Sequence, residues 1–150
     1  MSSGFIFKRC ASLHRPGGST IDDGMARQRR IIIADRSELA ANMYRLLLEP
    51  LEAELVIRKR FEEARPHFFR REKCDMAIIN SNIFGKKFDD IVQGMVEAIP
   101  VGAVPKIFIC KENEISGNHG RMLASVKKSW LLRRPFHPDE LFELVGRLLP

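Results

Sequence analysis

From Arg30 onward, short apolar runs and amphipathic segments alternate along the chain. Ile31-Ile-Ile-Ala34 is a β-branched run bounded by charge, the pattern of a buried strand. Ser37 to Leu48 follows, with Leu39, Met43, Leu46 and Leu47 on one helical face. Glu54-Leu-Val-Ile-Arg58 predicts a second strand. Residues 61–72 predict a helix with Phe61, Ala64 and Phe68 on one side. Pro66 is expected to shift or kink the start of that helix, because it lacks an N–H and its ring crowds the preceding turn. Asp75 to Asn80 reads as the third strand. Phe88, Ile91, Val92, Met95 and Ile99 mark the next helix, and Pro100 to Pro105 a loop. Lys106 to Cys110 is the fourth strand. Ser116 to Gly120 has the composition of a loop, and Arg121 to Lys127 suggests a short helix. Trp130 to Arg133 is the fifth strand. A last helix carries Pro138, Asp139 and Glu140 in its first turn, as helix starts prefer, and Leu141, Leu144, Val145 and Leu148 on its apolar face.

Five strands alternating with helices define an α/β class with a mostly parallel sheet, since parallel neighbours are joined by helical crossovers. In such sheets ligands and chemistry gather outside the carboxyl ends of the strands. Those ends are Asp35, Asn80, Cys110 and Arg133-Arg134-Pro135-Phe136. Asn80 is the unexpected one. An amide is a weak nucleophile and a poor proton carrier, and it offers a metal only a neutral oxygen.

Residues 1–28 lack this periodicity and include Arg15-Pro-Gly-Gly-Ser-Thr-Ile-Asp-Asp-Gly24, so they are read as a disordered or basic extension before a domain over 29–150. Met25 is a candidate for the true start. Charge follows the same division. Residues 1–30 hold Lys8, Arg9, Arg15, Arg27, Arg29 and Arg30 against Asp22 and Asp23, which is +4 of the net +6. The remainder is close to balanced, which argues against nucleic acid as the partner of the folded part. No apolar stretch approaches the roughly 20 residues that span a bilayer, and no signal-peptide pattern opens the chain. Cys10, Cys74 and Cys110 fit neither a disulfide framework nor a zinc set, and a reducing cytoplasm is the expected location.

The element order, the strand-end spacing, and Arg134-Pro135-Phe136 ahead of an acidic amphipathic helix resemble the receiver domain of bacterial response regulators. The resemblance covers about residues 29–150. It implies a doubly wound, flavodoxin-like (βα)5 fold with strand order 2-1-3-4-5. It also implies a site. In that family an acidic pair ends the first strand and helps bind Mg²⁺, an Asp ending the third accepts a phosphoryl group, a Ser or Thr ends the fourth, and a Lys before a cis-proline ends the fifth. By position these become Ala34 and Asp35, Asn80, Cys110, and Arg134 with Pro135. Only Asp35 and Pro135 keep the family pattern. Phosphoryl transfer to a side chain needs a carboxylate oxygen and a hard cation, and Mg²⁺ prefers carboxylates in tight octahedral geometry. Two of those carboxylates are replaced, so Mg²⁺ binding is expected to be weak or absent and no cofactor is expected. The aromatic switch position of the family falls on Leu131, beside Trp130.

The resulting expectation is a non-enzymatic, stand-alone pseudo-receiver that acts in two-component-type signalling through phosphorylation-independent protein contacts. Its partner face, by resemblance, comprises residues near 121–149. Trp130 is the anchor candidate, with Leu131, Lys127 and Lys128 beside it, and homodimerisation is open. Alternatives are a receiver phosphorylated on another carboxylate, Asp75 or Asp35, and a small-ligand or nucleic-acid-binding flavodoxin-like module. Individual residues carry competing readings. Asp35-Arg-Ser-Glu38 fits a capping box, so Asp35 is read as a helix cap ahead of a residual metal ligand. Arg134 is read as pairing with Asp35 ahead of binding an anion. Cys110 is read as a small buried hydrophobe ahead of a redox sensor, which Arg134 would favour by lowering the thiol pKa. Asn80-Ser81 is a deamidation-prone pair, with regulation by that route disfavoured. His14, His67, His119 and His137 show no ligand spacing and are expected to face solvent. Lys127-Lys128, Arg133-Arg134 and Arg58-Lys-Arg60 are read as solvated surface, since no aromatic stacking pattern accompanies them.

Overall fold

A computed structural model describes residues 28–69, 74–97 and 104–150. The strands are β1 (Arg30–Ala34), β2 (Glu54–Arg58), β3 (Met76–Asn80), β4 (Lys106–Lys111) and β5 (Ser129–Arg134). They form one sheet in the order β2-β1-β3-β4-β5, and every neighbouring pair is parallel. The doubly wound 2-1-3-4-5 arrangement expected from the sequence is therefore the one observed. The helices are α1 (Glu38–Leu48), α2 (Phe61–Phe69), α3 (Phe88–Glu97), α4 (Glu112–Ile115), α5 (Asn118–Ala124) and α6 (Pro138–Leu148).

Period-2 alternation along the strands sends side chains to two separate cores. Ile32, Ala34, Ala77, Ile79, Phe108 and Cys110 pack with Phe61, Ala64, Phe88, Val92, Leu123 and Val126 from α2, α3 and the α5 region. Ile31, Ile33, Met76, Ile78, Ile107 and Ile109 pack on the other face with Tyr44, Leu48, Leu141, Phe142 and Val145 from α1 and α6. Central strands buried on both faces explain why β1 and β3 read as unbroken apolar runs rather than as alternating ones.

Several elements differ from the sequence pattern. In α1 the residues that face the core are Ala41, Tyr44 and Leu48, while Leu39 and Leu46 are 79% and 76% exposed. Of the expected face, Met43 and Leu47 do pack against this core, whereas Leu39 and Leu46 do not, because the line of α1 that meets the sheet runs through Ala41, Tyr44 and Leu48. Pro66 does not delay α2. The helix begins at Phe61, with the N–H groups of Glu63 and Ala64 bonded to the Arg60 carbonyl, and it carries Pro66 inside. The stretch after β4 is more ordered than its composition suggests, forming α4 and then α5 from Asn118. Gly120 allows this: a Cβ there would lie 1.9 Å from the Ile115 carbonyl oxygen, so α4 and α5 can approach only at a glycine. Helix α6 starts at Pro138 as expected. Its cap is His137, whose Nδ1 accepts from the Asp139 N–H at 3.1 Å while Glu140 accepts from the His137 N–H at 2.8 Å. The extension over 1–28 with its candidate start at Met25, together with Cys10, His14 and Ile99, lies outside the described residues apart from residue 28, as do the side chains of His67, Phe68 and Met95.

Candidate functional site

The chain runs from β1 to β2 on one side and then crosses back past β1 to β3 on the other, so the topological switch point lies between β1 and β3. Asp35 directly follows β1 and Asn80 ends β3, which brings the two into one crevice. Asp35 is fully buried. A buried carboxylate is stable only when its oxygens are satisfied. Here Oδ1 accepts from the Ser37 N–H at 2.9 Å and from Asn82 Nδ2 at 3.0 Å. Oδ2 accepts from Tyr44 Oη at 2.7 Å and from Asn80 Nδ2 at 3.0 Å. These donors match the roughly four lone-pair positions of an ionised carboxylate. Burial first, and then the charge and hydrogen bond of Asp35, push the Tyr44 phenol well above its ordinary range, so it remains a donor.

Asn80 is the joint of the site. Its NH₂ faces the carboxylate, and its carbonyl accepts from Arg134 Nη1 at 2.9 Å and from the Asn82 N–H at 3.0 Å. The second of these makes Asn80 the cap of the short 3₁₀ turn Ser81–Ile83. The neighbours fix the amide's orientation, since its donor end must meet the anion and its acceptor end the cation. Neither a carboxylate nor an aliphatic residue offers both. Asn82 extends the network by accepting from the Arg36 N–H at 3.1 Å.

Arg134, at the end of β5, closes the other side. Its Nη2 lies 3.3 Å from Ser81 Oγ and 3.8 Å from Glu114 Oε1. Glu114 also accepts from Ser81 Oγ at 2.8 Å and from the Lys111 N–H at 2.7 Å. Burial alone would raise the Glu114 carboxyl, but the Lys111 amide, the Ser81 hydroxyl and the Arg134 charge outweigh it and hold the carboxyl below its usual range. The Arg134–Pro135 peptide is cis. Arg134 Nε is buried without an acceptor among the described residues.

The geometry corrects two expectations, for Asp35 and Arg134, and agrees with a third, for Cys110. Asp35 is not the helix cap: Ser37 caps α1 by accepting from the Ala40 N–H at 3.0 Å, and Asp35 holds Ser37 in place. Arg134 does not pair with Asp35 directly, because Asn80 stands between them and bonds to each. Cys110 is fully buried, and burial with the nearby Glu114 charge pushes its thiol up to about 12, which Arg134 only partly offsets. Such a thiol is not a thiolate sensor. Ala34 is buried in the core beneath the crevice. Trp130 is half-buried on the edge strand β5, Leu131 packs against the α2–α3 core, and Lys127 and Lys128 are exposed. His119 is not simply solvated, since its ring stacks on Phe88 with centroids 3.8 Å apart. Part of the basic surface is paired locally, Arg133 with Glu112 at 2.7 Å and Lys59 with Glu38. Tyr44, Asn82 and Glu114 complete the site without having stood out in the sequence, and Ser81, noted there only beside Asn80 as a deamidation-prone pair, joins them through Glu114 and Arg134. No cluster of three or more His, Cys, Asp or Glu side chains suited to a metal occurs among the described residues.

Comparison with known proteins places the fold. No family model matches the chain, and no curated protein matches it. Solved structures do. A putative response regulator from Chloroflexus aurantiacus superposes with a TM-score of 0.65 at 19% identity, covering 82% of this chain and 98% of that one. The receiver domain of a sensor histidine kinase from Pseudomonas aeruginosa PAO1, solved with a magnesium ion coordinated in its active-site cleft, gives 0.65 at 15% identity over 82% and 98%. A CheY-like receiver domain protein from Methanospirillum hungatei JF-1 gives 0.64 at 17% identity over 82% and 94%. The fold is thus that of response-regulator receiver domains. Among the described residues no helix is long and apolar enough to cross a membrane.

Proposed function

We propose that this protein is a pseudo-receiver: a non-enzymatic signalling module that keeps the receiver fold and engages a partner protein without being phosphorylated. The observation that carries the reading is the pair of hydrogen bonds made by the Asn80 side chain, donated to Asp35 on one side and accepted from Arg134 on the other. A receiver crevice must hold Mg²⁺ between carboxylates and present a carboxylate nucleophile. In this chain the residue at the nucleophile's place is an amide, and its atoms are used to tie the crevice shut. The donor set does not fit Mg²⁺ either. Both oxygens of Asp35 are taken by protein donors, and the Asn80 carbonyl, the other oxygen a cation could use, is taken by the Arg134 guanidinium and the Asn82 N–H. Displacing these donors would strip the Tyr44 hydroxyl, the Asn80 and Asn82 side-chain amides and the Ser37 N–H of this acceptor, which costs about 1–3 kcal/mol for each group left buried without a partner.

In this reading the crevice is permanently in one state, with side-chain hydrogen bonds in place of the metal and the phosphoryl group. The partner-facing region around Trp130, Lys127 and Lys128 is then constitutively presented, and the amount of protein present sets the signal rather than its modification. Backbone amide NMR tests the proposal. Titration with Mg²⁺ and then acetyl phosphate is expected to leave the resonances of residues 34–37 and 80–82 unmoved apart from a linear ionic-strength drift. Saturable shifts confined to those residues would overturn it.

A further inference from the structure

The exposed stripe on α1 is left unexplained by the crevice. Leu39 and Leu46 are 79% and 76% exposed and are the large apolar side chains most open to solvent among the described residues. They sit two helical turns apart with Asn42 between them, on the side of α1 opposite the buried Ala41, Tyr44 and Leu48. Scattered single leucines need no explanation, but two in register on the outer line of one helix form a seam.

Charge decides what fits that seam. Glu38 and Arg45 lie on the same flank of it, two turns apart and of opposite sign. In an antiparallel pairing of two copies of α1 about a two-fold axis, Leu39 of one copy meets Leu46 of the other, and Asn42 lies near its own symmetry mate. The same flanks then face each other in reversed order, so Glu38 of each copy approaches Arg45 of the other. A parallel pairing would set this flank against the opposite one and lose both ion pairs. A helix whose seam and flank are complementary to their own reversal meets the requirement of an isologous interface.

We infer that α1 is a self-association surface, and that its occupant is a second copy of this chain docked antiparallel through Leu39 and Leu46. The surface is distinct from the β5 region proposed for the signalling partner, so dimerisation leaves Trp130 presented on both copies. One short helix per copy provides less than the roughly 1,200 Å² of a standard stable interface, so the dimer is weak and depends on concentration. Glu38 pairs with Lys59 and Arg45 bonds Asn42 Oδ1 at 3.1 Å in the monomer, so the ion pairs across the dimer share or exchange these contacts, which also keeps the association weak.

Sedimentation equilibrium of the full chain over a wide concentration range tests this. The wild type is expected to show a reversible monomer–dimer equilibrium, and Leu46→Glu is expected to be monomeric with little change in thermal stability, because Leu46 is 76% exposed in the monomer. Glu38→Lys alone and Arg45→Glu alone are each expected to weaken association by about tenfold, which places like charges across both contacts. An equimolar mixture of those two variants restores opposite charges at both contacts and is expected to recover a heterodimer of wild-type strength. A wild type that stays monomeric throughout, or a dimer indifferent to Leu46→Glu, overturns the proposal. Failure of the mixture to recover association overturns the antiparallel docking.

Discussion

Changing Asn80 to Asp restores the residue type a phosphorylatable receiver carries, and the structure says the change is unfavourable here. The substitution replaces the Nδ2 donor, 3.0 Å from Asp35 Oδ2, with a carboxylate oxygen. At an effective dielectric of about 20, two like charges about 3 Å apart repel by roughly 5 kcal/mol. Arg134 Nη1, 2.9 Å from the other side-chain oxygen, attracts the new charge by a similar amount, so these two terms nearly cancel. What remains is the lost hydrogen bond to an ionised partner, worth about 1.5–3 kcal/mol. Urea unfolding followed by circular dichroism is therefore expected to show Asn80→Asp destabilised by about 2–3 kcal/mol near pH 7, with the midpoint lowered and the slope unchanged. The sign with pH follows from linkage. Two facing carboxylates hold a shared proton more tightly than the unfolded chain does, so the folded variant gains relative stability as pH falls toward about 4 and loses it as pH rises. The protonated pair can again donate across the gap. Equal or higher stability of Asn80→Asp near neutral pH, or a deficit that does not shrink on acidification, would refute the reasoning about Asn80 as a two-ended joint.

Two further outcomes follow from the same geometry. Tyr44→Phe keeps the ring in its core but removes the 2.7 Å bond to Asp35, and it is expected to cost about 1.5–3 kcal/mol in the same unfolding assay; a neutral effect would show that the phenol does not support the carboxylate. At the opposite end of the sheet Lys106 is fully buried, with Nζ donating to the Val104 carbonyl at 2.5 Å, and burial together with the Lys128 charge lowers it to about 8, against a partial opposing effect of Cys74. A folded-state value below the unfolded one means that the charged form costs stability below about pH 8 and that the cost is relieved as pH rises toward about 10.5. The stability difference between wild type and Lys106→Met is expected to move toward the wild type by an amount on the order of 3 kcal/mol across that window; a pH-independent difference would contradict the buried-ammonium account.

The sheet was legible because strand burial writes itself directly into sequence: Ile31 to Ala34 and Met76 to Ile79 are continuous apolar runs, and their ends name Asp35 and Asn80. The crevice was legible only by its strand-end residues. Tyr44 was hidden by the helical period itself, since Leu39 and Leu46 form an equally regular stripe and periodicity does not say which stripe meets the sheet. The signal available was a single tyrosine sharing a face with Ala41 and Leu48, the small-large alternation of a helix packed close to strands. Ser81, Asn82 and Glu114 lie on short turns whose geometry depends on the very bonds they make, such as Asn80 capping Ser81–Ile83, so local propensity does not reveal them. The Asp35–Arg134 pair expected from charge alone gave way to a relay through Asn80, because an amide between a carboxylate and a guanidinium satisfies both.

The account stands or falls on whether the crevice accepts a phosphoryl group. Intact-mass spectrometry of the full chain, before and after incubation with acetyl phosphate and Mg²⁺, addresses this most directly. The bonded Asn80 and the saturated Asp35 predict an unchanged mass. An added phosphoryl group that peptide mapping placed on a carboxylate of the crevice would contradict the account.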